Sequence, residues 1–136
     1  MPIAMGESSM PAEGRPDAAL MLRVAQRDLK AARSMLDDEA FEEPTWGYQI
    51  QQATEKALKA WISRLDHDYP RSHDLALLYS LICDLGADPS PFQTLARFSP
   101  FGTRIRYDDV ETLGLDRSFW NQLCADLLEH VASLIP

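Results

Sequence analysis

The sequence contains no glycine-rich phosphate loop, no HExxH pair and no nucleophile elbow. Their absence removes the usual sequence routes to P-loop NTPase, zinc peptidase and α/β-hydrolase chemistry. Cysteine is scarce, with only Cys83 and Cys124 and no CxxC. Both fall among apolar residues at helical spacing and read as buried reduced thiols rather than a disulfide or thiolate metal site. No apolar run approaches the ~20 residues of a membrane helix. "ALMLRV" is broken by Arg23, and "LLEHVASLIP" by Glu129 and His130. The opening "MPIAMGESSMPAEGRP" lacks the basic start and apolar core of a signal peptide. The expectation is a cytoplasmic protein with a mobile tail over residues 1–16 and one domain over 17–136.

Positive charge is also in deficit. The formal net charge is −8, which argues against non-specific coating of nucleic acid, where affinity rests on neutralised phosphates. The charge is uneven. Glu39, Glu42 and Glu43 form one acidic segment, and Asp108, Asp109, Glu111 and Asp116 form another. Residues 44–65 and 87–107 are each locally positive through Lys56, Lys59 and Arg64 and through Arg97, Arg104 and Arg106. If those two segments meet in space, they make a basic patch on an acidic body.

What is present is helical periodicity. Leu22, Ala25, Leu29, Ala32 and Leu36 recur at steps of three and four from Asp17 onward. A second helix is expected from near Thr45 or Trp46 to about Leu65. Ile50, Ala53, Ala57 and Ala60 give it a small-residue face, and Leu58, Trp61, Ile62 and Leu65 a bulkier one, an arc wide enough to be packed on two sides. Pro70 breaks the chain, and Ser72 is expected to cap a third helix that carries Asp74 in its first turn and ends at Gly86. A short fourth helix is expected over Pro91–Phe98, then irregular chain with a locally extended "TRIRY". A last helix should run from near Asp116 to Leu134. No stretch reads convincingly as a strand. The fold class is all-α, an up-and-down four-helix bundle with one extra short helix.

"QQATEKALKAWISRL", then "SHDLALLYSL" after a proline loop, then "RIRY" ahead of a final amphipathic helix, together resemble the HEPN domain family. The similarity runs from about Asp17 to Leu134. The usual form of the last motif places a proline after the arginine–tyrosine pair; Asp108 stands there in this chain. The resemblance implies a helical homodimer, often partnered with a minimal nucleotidyltransferase and in some cases part of a toxin–antitoxin pair. One branch of the family consists of metal-independent ribonucleases marked by an arginine and a histidine with four to six residues between them. There the arginine would stabilise phosphate and the histidine would move a proton.

The ribonuclease spacing is absent from this chain. Arg64 precedes His67 with two residues between and His73 with eight; Arg71 precedes His73 with one; Arg117 precedes His130 with twelve. Residues two apart on a helix point to different faces, so Arg71 and His73 do not substitute. "LDHDYP" around His67 reads as a solvated turn, and His130 as an imidazole at the core edge. No catalytic residue, metal or cofactor is therefore predicted. The expected function is a non-catalytic binding module for a nucleotidyltransferase subunit, a nucleotide or a phosphate group. The alternative is an RNA-cutting toxin with a non-standard site. The candidate ligand contacts are Arg104, Arg106 and Tyr107, which offer charge, bidentate donors and a stacking surface. Lys56, Lys59, Arg71, His73 and Asp74 complete the set, with the backbone N–H groups near Ser72 as a further phosphate contact.

Overall fold

The structure is a computed structural model that describes residues 17–103 and 112–136. Its helices are α1 (Ala18–Arg33), α2 (Glu43–Arg64), α3 (Leu75–Asp84), a 3₁₀ segment (Ser90–Gly102) and α4 (Arg117–Leu134). Among the described residues there is no strand, so the all-helical expectation holds. No helix among them is long and apolar enough to cross a membrane.

Helix α2 is the axis of the bundle and touches every other helix. Its sequence explains the position. Ala53, Ala57 and Ala60 are fully buried, as are Ala25 and Ala32 of α1, and small side chains let helix axes approach closely. Gly47 serves the same end at another point. A Cβ there would come within 2.3 Å of the Phe101 ring, so the missing side chain makes room for the aromatic core. In that core Phe98 meets Trp46 edge-on at 5.5 Å and Trp120 at 5.2 Å, and lies 5.4 Å from Phe101.

The helix ends follow their capping chemistry. Asp17, Asp74 and Asp116 each accept a backbone N–H in the first turn of α1, α3 and α4. Pro44 lies at the start of α2, where its missing N–H costs nothing. Gly86 closes α3 at φ +91°.

Four expectations are corrected. Asp74, not Ser72, caps α3; Ser72 Oγ instead accepts the Asp74 N–H at 3.0 Å, which rigidifies the cap from two residues earlier. Helix α1 stops at Arg33, so Leu36 falls past its end and is 53% exposed rather than on the inner face. Cys83 is exposed. Cys124 is buried beside Thr54, and burial pushes its thiol up to about 12.

The fourth correction concerns the short helix, which is not α-helical and extends to Gly102. Phe92, Leu95, Phe98 and Phe101 are its buried residues, and they recur every third position. An α-helix would sweep that spacing around its surface, whereas a 3₁₀ helix of three residues per turn keeps it in one line. Tyr79 of α3 donates to the Phe92 carbonyl at 2.6 Å, and Ser99 Oγ accepts the first N–H of α3, that of Leu75, at 2.8 Å. The "TRIRY" expectation lies, beyond Thr103, outside the described residues.

Phe98→Ala should cost about 3–5 kcal/mol, the usual range for emptying a large aromatic site. Leu77→Ala, on a side chain 47% exposed, should stay within about 0.5 kcal/mol. Urea denaturation of the two variants checks both values.

Candidate functional site

Gln51, Glu55 and Lys59 are spaced four apart on α2 and therefore share one face. All three are buried. A buried carboxylate needs partners, because desolvation penalises its charge. Glu55 has them on both oxygens. Oε1 accepts from Gln51 Nε2 at 2.9 Å and meets His73 Nδ1 at 2.9 Å; Oε2 accepts from Lys59 Nζ at 3.0 Å. Burial alone would raise the Glu55 carboxyl. The hydrogen bonds from His73, Gln51 and Lys59 outweigh it and hold the group below the ordinary glutamate value.

The loop between α2 and α3 closes on this face. Gln51 Nε2 also donates to the His73 carbonyl at 3.3 Å, and Lys59 Nζ lies 5.3 Å from the centre of the Tyr69 ring. An ionised Glu55 is acceptor-only, so its His73 partner atom carries a proton. Nε2 is the ring's other nitrogen. The His73 side chain is 61% exposed, against 3% for that of Glu55: its inner edge is anchored and its outer edge faces solvent.

One residue further along α2, Lys56 donates to Gln52 Oε1 at 2.7 Å and lies 3.9 Å from Asp28 of α1. Burial pushes the Asp28 carboxyl above its usual value despite the nearby Lys56 and Arg27. Gln52 in turn donates to Gln51 Oε1 at 2.7 Å, which joins this outer pair to the Glu55 network.

The candidates from the sequence thus divide. His73 and Lys59 are brought together on Glu55, with Lys56 linked through Gln52. Asp74 is the α3 cap. Arg71 is exposed in the preceding turn and engaged in a contact of its own. Arg104, Arg106 and Tyr107 lie outside the described residues. Of the other described cations, Lys59 is buried on Glu55, Arg64 donates to the Leu134 carbonyl at 2.6 Å, and Arg97 lies over the Trp120 ring at 5.3 Å. Gln51 and Glu55 were missed as site residues. Their signal was present in the four-residue step Gln51–Glu55–Lys59 within "QQATEKALKA", but their partner His73 is 18 positions further on.

This network joins "QQATEKALK" to "SHDL", the two stretches on which the resemblance chiefly rests. A family model described as "HEPN domain" matches residues 18–134. The chain belongs to the HEPN domain family. No curated protein and no solved structure matches it. In this HEPN domain the other titratable groups of note lie apart from the network. His130 is half-buried against Trp61 and Phe92, at 4.9 and 5.6 Å between ring centroids. His67 Nδ1 meets the Asp68 carbonyl in an exposed turn. Among the described residues no three His, Cys, Asp or Glu side chains are grouped to hold a metal ion.

The depressed Glu55 carboxyl makes a signed prediction. Its stabilising effect is complete above the ordinary value of 4.5 and fades as pH falls through the lower folded value. Glu55→Gln should be about 3 kcal/mol less stable at pH 7, because Lys59 loses its buried partner. The gap to the unmodified protein should narrow below pH 4.5. Urea midpoints across pH 3–7 measure it; a gap of constant size would contradict this account.

Proposed function

We propose that this HEPN domain is a non-catalytic, dimeric binding module that takes a nucleotide or other phosphate ligand, or a minimal nucleotidyltransferase subunit, at the rim of the Glu55 network. The observation that carries this reading is the state of His73. Its spacing from any arginine differs from the ribonuclease pattern, and its inner nitrogen is committed to Glu55. The anchor fixes the ring and turns its outer edge to solvent, where it can meet a ligand.

Chain connectivity supports the choice of ligand residues. A Cβ on Gly102 would come within 2.6 Å of the Gln51 side chain, so Gly102 packs against the network. Arg104 follows Gly102 by two residues in the sequence. The charge and stacking surface of Arg104, Arg106 and Tyr107 are assigned to the ligand on their chemistry, and Lys56 adds a partly exposed ammonium one residue after Glu55.

Binding of fluorescently labelled ATP and of a minimal nucleotidyltransferase subunit from the same genome tests the reading. An Arg104→Ala/Arg106→Ala variant should weaken nucleotide binding at least tenfold while leaving the fold intact. Binding of neither probe overturns the proposal. RNA incubated with the protein in EDTA should remain whole; cleavage that His73→Ala abolishes would favour the ribonuclease alternative instead.

A further inference from the structure

A second surface lies where the turn after α1 meets the start of α4. It is some 12 residues along α2 from Glu55, or about 18 Å at 1.5 Å per residue, so it is separate from the site above. A cavity of about 270 Å³ opens there, walled by Leu36, Glu43, Leu115 and Arg117 among others. That is smaller than the ~300–1,000 Å³ typical of small-molecule sites and suits one or two anchoring side chains. Around it three large apolar side chains stand in water: Leu36 at 53%, Leu113 at 60% and Phe119 at 55% exposure.

The walls are held by buried polar groups. Glu43 accepts the backbone N–H of Leu113 at 2.7 Å and of Leu115 at 2.9 Å, one on each carboxylate oxygen. Arg117 donates to the carbonyls of Met35 at 2.8 Å and Asp37 at 3.5 Å, with its guanidinium 5.5 Å from the Trp46 ring. Leu36 and Leu113 are therefore presented on cross-braced backbone. Phe119 projects from the first turn of α4, edge-on to Trp120 at 5.0 Å. Side chains held out in this way lose little further freedom when a partner covers them.

Among the described residues the exposed charges at the rim are of one sign. Asp38 and Asp116 line the cavity, and Asp37, Glu39 and Glu42, next to lining residues along the chain, are exposed as well. Arg117, the one cation among the cavity's described lining residues, is buried. Arg33, the nearest cation on α1, lines a different groove between α1 and α4. Carboxylates around apolar anchors repel phosphate, and two copies of this face would oppose like charges. We propose that this surface docks a basic amphipathic segment of a partner protein, whose apolar side chains cover Leu36, Leu113 and Phe119 while its lysines or arginines meet the acidic rim.

Three synthetic 15-residue peptides test this with the full chain: a Leu/Lys amphipathic helix, the matching Leu/Glu helix, and a Lys/Ser peptide without apolar residues. Fluorescence anisotropy should show the Leu/Lys peptide binding at least tenfold more tightly than either other. Amide chemical-shift changes should centre on residues 36–42 and 112–119. Leu113→Ser/Phe119→Ser and Asp37→Asn/Asp38→Asn/Glu42→Gln should each weaken that binding at least tenfold. All five positions are exposed, so circular dichroism and urea midpoints should stay unchanged, as should ATP binding at the Glu55 rim. Equal binding of all three peptides, shifts centred elsewhere, or indifference to both variants overturns the proposal. So does a change of Leu113→Ser/Phe119→Ser from dimer to monomer, which would assign the face to a second copy. Loss of ATP binding with peptide binding retained would overturn only the reading of the Glu55 site.

Discussion

Glu55 places a negative charge on the inner side of a helix that the bundle otherwise fills with alanine, leucine and tryptophan. Such a charge is tolerated only where donors converge on it. Two come from the same helix, one turn before and one turn after, and are present as soon as α2 forms. The third comes from His73, and it can arrive only when the α2–α3 loop has turned back. The carboxylate therefore links a local element to a distant one. It sets where α3 begins relative to α2, and with it the position of the 3₁₀ segment that braces α3 through Ser99 and Tyr79.

Much of the fold was readable from periodicity, because most of the helices are amphipathic at steps of three and four. The start of α4 near Asp116 and the stop of α3 at Gly86 were readable as well. The errors have specific causes. Leu36 continues the spacing of α1, but spacing does not reveal that the helix stops at Arg33. The short helix was ended at Phe98 and irregular chain placed after it, because Pro100 and Gly102 read as breakers, whereas the apolar spacing of three continues to Phe101.

The site was less legible than the fold. Lys59 was expected to stand open to a ligand, and as a residue of an isolated helix it would be. It is buried because the loop carrying Tyr69 and His73 covers it, which no property of α2 foretells. Likewise Glu55 and Lys59 were recognisable as a favourable pair at i, i+4, but not as a buried one. The stretches "QQATEKALK" and "SHDL" marked the family, and the structure supplies a physical reason for their joint occurrence: each contributes donors or acceptors to one hydrogen-bonded cluster.

The 3₁₀ segment carries an implication for how this chain can vary. Its apolar line survives only if residues are added or removed in whole turns. One inserted residue would rotate every side chain beyond it by about 120°, carrying Phe98 and Phe101 out of the aromatic core and swinging polar neighbours in. A three-residue change would restore the phase while moving the chain end by about 6 Å along the axis. Length variation here is thus quantised in threes, whereas the exposed turn between α1 and α2 has no such clock.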